Sequence, residues 1–325
     1  MKRIRIGFVG CGGIAQTHIQ SLLQIEGAEV AALAAGNEAR LKETAALVPG
    51  AALYTSGEEM LEKAGLDAVF LCVTPARHGN LEEIAANKGI HLYVEKPIGL
   101  NMAAVGRLAA IIEGSGIITS VGYQERYDPA LEELRCYLAE HPAGVVSGKW
   151  MGGMPGALWW RQKAASGGQV VEQCTHIFDM LRYLFGEVES VYARPFRGIM
   201  KGIPQYDIED ASAAVLTFQS GMLADVITGC YLGPQSPPDV GLTIYTDAAR
   251  VCYDWIRHIS YREGDAVREV PGNCSHHFDA VKAFVEAVRT GDRSLIRSDF
   301  TDASRSLAVT LAVNESMERG SVVKL

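Results

Sequence analysis

The sequence predicts an α/β protein: a doubly wound parallel sheet over residues 1–122, then an α+β domain over 123–325 with an open, mostly antiparallel sheet. Three observations carry this. The first 122 residues alternate short apolar runs with amphipathic stretches, the pattern of strands covered on both faces by helices. A glycine-rich turn, Gly10-Cys-Gly-Gly-Ile-Ala15, follows the first run and opens the first amphipathic stretch. From Glu187 onward apolar residues recur at every second position, as in strands with one wet face.

Taken in order, Ile4 to Val9 reads as a strand, followed by the glycine turn and a helix to about Gln24. Further strands are expected at Glu29 to Ala34, Ala52 to Tyr54, Asp67 to Val73, Ile90 to Val94 and Ile117 to Val121. Helices are expected near 38–47, 57–64, 79–88 and 101–113. After Gly122 the rhythm changes. Pro129 suits the first turn of a helix from Asp128 to Glu140, and a second helix is expected from Gln169 to Phe185. Alternation then marks Val188 to Arg194, Ala211 to Phe218, Met222 to Thr228, Gly241 to Tyr245 and Arg250 to Asp254. Gln219-Ser-Gly and Thr246-Asp-Ala join neighbours at hairpin distance. Helices from His276 to Arg289 and Phe300 to Arg319 follow, the latter stopped by Gly320.

With 48% hydrophobic and 21% charged side chains, the 325 residues have the composition of a packed globular chain. Thirty basic against thirty-eight acidic residues leave a net charge of −8, which argues against nucleic acid or an anionic membrane as partner. The seven cysteines form no C-x-x-C pair and lie mostly in apolar runs, which points to reduced thiols and a cytoplasmic protein. Four glycines break Ile6 to Ile14, so the basic start is not a signal peptide, and no apolar run reaches a membrane span of about 20 residues.

Gly10-x-Gly12-x-x-Ala15 sits between a strand and a helix, the context a dinucleotide fingerprint requires. Gly10 permits the tight turn, Gly12 lets backbone approach a pyrophosphate, and Ala15 lets helix and strand pack closely. Gly13 and Ile14 supply amides at the helix start. The plain alternative is an ordinary glycine turn. An NAD site usually has an acid about 20 residues further on, for the ribose 2′-hydroxyl. Here the second strand ends Ala34-Ala-Gly-Asn-Glu-Ala-Arg40, with no acid at that place. A 2′-phosphate is then not repelled, and Asn37 and Arg40 are in reach of it, so NADP is favoured over NAD; Glu38 is the alternative stand-in for the missing acid.

At the fifth strand's end the chain reads Val94-Glu95-Lys96-Pro97, aimed at the ligand side of a parallel sheet. In order, Gly10-x-Gly-x-x-Ala15, Thr74-Pro75-Ala-Arg-His78, Val94-Glu-Lys-Pro97, Gly122-Tyr-Gln-x-Arg126 with Pro129, and Gly167-Gly-x-x-x-Glu172-x-x-x-His176-x-x-Asp179 span most of the chain. This series resembles the glucose-fructose oxidoreductase, inositol dehydrogenase and rhizopine-catabolism (Gfo/Idh/MocA) family of NAD(P)-dependent oxidoreductases. The resemblance implies a Rossmann domain, then a domain whose open sheet makes a homodimer or homotetramer, with a sugar or polyol bound between the two. It implies cofactor contacts from Thr74, Pro75, His78, Glu95, Lys96, Pro97 and Gln124, and places Lys96 and His176 beside the nicotinamide. Many members carry Asp four residues before the histidine; this chain carries Glu172, one methylene longer.

Physically, Val170, Cys174, Ile177, Leu181 and Leu184 make one apolar stripe on the Gln169–Phe185 helix, and Glu172, His176 and Asp179 share another side. That side is either a solvated face, a metal site, or a catalytic face; no metal is expected. Oxidising a secondary alcohol needs a base near neutrality, for which His176 is the natural candidate, with Glu172 orienting it. Lys96 would stabilise the alkoxide, or carry the proton itself. Tyr123, Arg126, Trp160, Arg161 and Asp179 are the substrate candidates. Trp159 and Trp160 are read equally as stacking surfaces or core. Asp207, Glu209 and Asp210 read as a solvated acidic edge, and His18, His258, His276 and His277 as caps or decoration. Two rival functions stand beside the oxidoreductase. One is a glycosidase or lyase using NAD for transient oxidation; the other is a catalytically silent dinucleotide-binding regulator.

Overall fold

The computed structural model describes residues 3–273 and 275–325. In chain order the strands are β1 Ile4–Val9, β2 Ala28–Ala34, β3 Ala52–Tyr54, β4 Ala68–Leu71, β5 His91–Val94, β6 Thr119–Val121, β7 Ala143–Gly153, β8 Val188–Phe196, β9 Ala211–Phe218, β10 Leu223–Leu232, β11 Asp239–Thr246, β12 Arg250–Asp254, β13 His258–Glu263, β14 Ala266–Pro271 and β15 Val323–Lys324. The helices are α1 Gly13–Leu22, α2 Glu38–Ala45, α3 Gly57–Lys63, α4 Leu81–Asn87, α5 Met102–Ser115, α6 Pro129–Glu140, α7 Lys163–Ser166, α8 Gln169–Glu172, α9 Thr175–Phe185, α10 His276–Thr290 and α11 Phe300–Arg319. Two compact units result, Met1–Tyr127 with Ser275–Ser304, and Asp128–Cys274 with Arg305–Leu325. The sequence places one boundary near residue 122; in the structure the chain leaves the first unit after Tyr127 and re-enters it at Ser275.

In the first unit all six strands run parallel, in the order β3-β2-β1-β4-β5-β6. The order reverses between β1 and β4, so ligands belong at the carboxyl ends on either side of that switch point. Ile6, Phe8, Leu33, Phe70 and Tyr93 are fully buried. Phe8 stacks on Phe70 at 4.8 Å and Phe70 on Tyr93 at 4.5 Å. Asn37, Ser56 and Asn101 cap α2, α3 and α5 by accepting from backbone amides, each such cap being worth about 1 kcal/mol. Helix α10 completes the core, with Val281, Phe284 and Val285 fully buried and Phe284 edge-on to both Phe70 and Tyr93 at 5.6 Å.

The second unit holds a nine-stranded sheet, order β14-β13-β12-β11-β7-β10-β9-β8-β15. Every pairing is antiparallel except β10 beside β7, where Leu223 lies opposite Val145 and Gly229 opposite Met151. Leu131 and Leu134 of α6, Ile177 and Leu181 of α9, and Val309 and Val313 of α11 bury one face against Val146, Leu216, Val226 and Leu242. On the other face Val145, Tyr192, Val215, Leu223, Ile227 and Tyr245 stay 39–50% exposed. Strands β7, β13, β14 and β15 go beyond the sequence expectation. Gly144, Gly148, Gly152 and Gly153 break the alternation of β7, and β14 is an edge strand whose residues other than Val270 are exposed, with Arg268 and Glu269 at its centre.

Candidate active site

At the end of β1 the three glycines do different work. Gly10 has φ +95°, and a Cβ there would lie 2.3 Å from the Cys72 carbonyl oxygen, so only glycine fits. Its amide donates to Ala34 O at 2.9 Å, tying the turn to β2. Gly12 is extended, with φ −85°, and begins α1 without any side-chain cap. A Cβ on Gly12 would meet only the Arg40 Nη1 tip at 3.7 Å, and one on Gly13 would meet nothing within 4 Å. The amides of a ten-residue helix therefore face open space over bare backbone, a cradle that fits a pyrophosphate. Ala15 is fully buried, whereas Ile14 is half-buried.

Asn37 Oδ1 is occupied in accepting the Arg40 amide at 3.1 Å, which leaves the exposed Arg40 guanidinium as the cation beside the turn. Glu38, the alternative stand-in, is exposed and 3.9 Å from Lys42. After β4, Thr74 leads into a 3-10 turn with Pro75 buried, and His78 Nδ1 meets Glu82 of α4, both side chains buried. After β5, the Glu95 amide donates to Leu71 O at 2.9 Å and the Lys96–Pro97 bond is cis. Tyr123, Gln124 and Arg126 are buried at or beside the 3-10 turn Gln124–Tyr127. Arg126 donates to Arg297 O and pairs with Asp302, each at 2.7 Å, so its guanidinium is engaged inside the first unit.

In the second unit Gly167 and Gly168, with φ +80° and +90°, turn the chain into α8. The expected single helix from Gln169 to Phe185 is two pieces. Cys174 N bonds to Gln169 O at 3.0 Å, one residue wider than an α-turn, so Glu172 ends α8 and His176 lies in the first turn of α9. Wide turns of this kind occur often at functional positions. Glu172, His176 and Asp179 are all buried, which overturns the solvated-face alternative. Asp179 accepts the Ser306 hydroxyl, and Ser306 accepts from Arg182 at 2.7 Å. Arg182 also forks onto Glu187 at 2.9 and 2.7 Å, holding that carboxyl below the usual range.

His176 carries an aromatic wall that the sequence reading missed. Trp150 of β7 stacks on it at 5.6 Å with planes 19° apart, and Trp255 lies at 6.0 Å. Trp160 is edge-on to Trp159 at 5.6 Å, and Arg161 Nε donates to Pro155 O at 2.9 Å. Two of the expected surface acids are buried instead. Glu209 pairs with Lys163 at 3.3 Å, and Asp210 accepts the amides of Gly198, Ile199 and Met200; these amides outweigh its burial and lower its pKa. His18 and His276 are buried as well. Burial raises the Cys11 and Cys174 thiols, so neither is a ready nucleophile. Among the described residues no three His, Cys, Asp or Glu side chains are grouped to hold a metal, and no helix is long and apolar enough to cross a membrane.

Residues 4–123 match an oxidoreductase family with an NAD-binding Rossmann fold, and residues 144–251 match the Gfo/Idh/MocA C-terminal domain. The chain belongs to the Gfo/Idh/MocA family. As a member it is an NAD(P)-dependent oxidoreductase. It is 26% identical to the myo-inositol 2-dehydrogenase of Thermotoga maritima over 99% of this chain and 98% of that one. It is 25% identical to D-xylose 1-dehydrogenase (NADP(+)) 2 of Haloferax volcanii, over 98% and 99%. The fold superposes with a TM-score of 0.84 on scyllo-inositol dehydrogenase from Lactobacillus casei with bound NAD(H) and scyllo-inositol, at 19% identity over 99% of both chains. Such a distant likeness establishes the fold rather than the substrate.

Proposed function

We propose that this protein transfers a hydride between NAD(P) and a secondary alcohol or ketone of a cyclic polyol or sugar. The observation that carries the reading is the bare glycine surface at the uncapped start of α1, in the same unit as Glu95-Lys96-cis-Pro97. The bound nicotinamide supplies the hydride acceptor or donor. Lys96 donates a hydrogen bond to the substrate oxygen and stabilises charge growing there. His176 takes the hydroxyl proton, and Glu172 orients the imidazole and stabilises its protonated form. Gly10, Gly12, Gly13, Ile14 and Ala15 form the pyrophosphate turn. Arg40 meets the 2′-phosphate of NADP, with Asn37 fixing the start of its helix.

The relatives' names support the substrate class. The exposed apolar face of the second unit's sheet supports a homodimer or homotetramer. In that sheet Tyr245 pairs with Val145, Val145 with Leu223, and Tyr192 with Val215, forming contiguous apolar rows. Free thiols at Cys11, Cys72, Cys136, Cys174, Cys230 and Cys252 support a cytoplasmic setting.

The test is a spectrophotometric screen of inositols, pentoses and hexoses with both cofactors. Net cofactor reduction is expected, and His176→Ala and Lys96→Ala should each lower kcat by about 10²–10⁴-fold with unchanged melting. Product formed without net reduction would favour the transient-oxidation lyase. Cofactor bound with no turnover of any compound would favour the silent regulator.

A further inference from the structure

Helix α1 presents glycines at its start and, five residues after Gly13, a histidine that is 0% exposed. His18 Nε2 lies 2.7 Å from Glu95 Oε1, a contact across 77 positions of sequence. The carboxylate accepts, so Nε2 is the donor. Phe70, Tyr93 and His277 surround the imidazole at 5.5, 5.1 and 5.9 Å. On its other side the carboxylate abuts Gly122, where a Cβ would come within 2.7–2.9 Å of it. His18 from α1, then the adjacent Lys96 and His277 from α10, are the neighbours that favour charge on Glu95, while Cys72 and Tyr93 are the neighbouring groups it acts on. Burial opposes charge on Glu95; His18 and these neighbours outweigh it and hold the carboxyl below its usual range.

We propose that the His18–Glu95 pair is a strut that sets the distance between the cofactor-binding helix and Lys96, making His18 a positioning residue for hydride transfer. The proposal rests on Lys96 holding the substrate oxygen and on α1 holding the cofactor. Each link is short. Along α1, His18 is about 7.5 Å of helix rise from Gly13, and Lys96 follows Glu95 by one Cα step of about 3.8 Å. A hydrogen bond enclosed by aromatic rings is electrostatically stronger than one in water, so the pair resists displacement. Without it, the side chain of Glu95 loses its anchor on α1, and the Glu95 amide bond to Leu71 O remains to hold the loop to the sheet. Misplacing a reacting group by about 1 Å costs on the order of 10²-fold in rate.

His18→Phe fills the ring's volume without a donor, whereas His18→Gln restores an amide donor at similar reach. Steady-state kinetics, titration with the reduced cofactor and thermal melting are measured for both. His18→Phe should lower kcat by about 10–100-fold with the cofactor Kd within about threefold of wild type, and His18→Gln should recover most of that loss. Glu95→Met, which keeps the length but has no oxygen acceptor, should lose a similar factor, and the double variant His18→Phe/Glu95→Met should be no slower than the worse single one, because both break one contact. A folded His18→Phe with wild-type kcat overturns the strut. If His18→Phe does not fold, Glu95→Met decides, and wild-type kcat there overturns it equally. A wild-type protein that turns over no polyol or sugar sinks the functional reading and the strut together; active wild type with equally active variants sinks the strut alone.

Discussion

Gly12→Ala separates a glycine kept for a ligand from one kept for the fold. At Gly12 the backbone is extended, and the new Cβ meets only the flexible Arg40 tip at 3.7 Å, an ordinary contact. Loss of glycine's freedom in the unfolded chain then favours the variant by about 0.4–1 kcal/mol. Cofactor binding moves the other way. A phosphate oxygen bonded to a backbone amide sits about 2.7–2.9 Å from nitrogen, while a methyl carbon holds an oxygen at roughly 3.3–3.6 Å. Displacing the phosphate from one such amide forfeits a charged hydrogen bond of about 1.5–3 kcal/mol, or about 10–150-fold in Kd. Fluorescence titration with NADH and NADPH, alongside a thermal melt, should show weakened binding at equal or higher Tm. Gly10→Ala is the contrasting control: with φ +95° and a backbone oxygen 2.3 Å from the new Cβ, it should lose stability outright. Wild-type affinity in Gly12→Ala would refute the phosphate cradle.

Three further outcomes are expected. Arg40→Ala should reduce kcat/KM with NADP by about 5–30-fold, the contact being exposed and worth about 1–2 kcal/mol, and leave NAD within about twofold; equal losses with both cofactors would remove Arg40 from the 2′-phosphate. Ile227→Glu, beside Lys149 and Ala213 on the open sheet face, should shift the light-scattering mass to a smaller species without loss of fold, and an unchanged mass would place the interface elsewhere. Burial, then the neighbouring His276 and His18, hold His277 at about 4 against 6.5. The unfolded chain therefore binds a proton that the folded one refuses across that interval. Stability from neutral His277 is fully present above pH 6.5 and declines as pH falls toward 4. The Tm–pH curve of His277→Asn should be shallower there than wild type, and parallel curves would contradict the assignment.

Legibility in the sequence followed the range of the interactions. The strands of the parallel sheet are short apolar runs between glycines and helix signals, and each lies within a few residues of its expected place. Alternation likewise marked β8 to β12, where one face is wet. Strand β7 was hidden because Gly148 and Lys149-Trp150 interrupt its pattern, although it lies between β11 and β10 inside the sheet. The break at Gln173–Cys174 was invisible because the four-and-three apolar spacing runs straight through it. Motif residues near the glycine turn could be named from spacing alone. Trp150 and Trp255 around His176 could not, since nothing local marks tertiary stacking. His18 read as decoration because its partner is 77 residues away.

The return of α10 to the first unit also sets an order of events during synthesis. Phe284, Val281 and Val285 each contribute about 1.5–3 kcal/mol of burial to that core, and they are made after the whole intervening stretch of about 150 residues. At about 5–20 residues per second, the emerging N-terminal sheet waits roughly 7–30 s with the edges of Phe70 and Tyr93 uncovered. The cofactor-binding half is therefore begun before the other yet closed only after most of it has been made, and the second half waits in turn for α11.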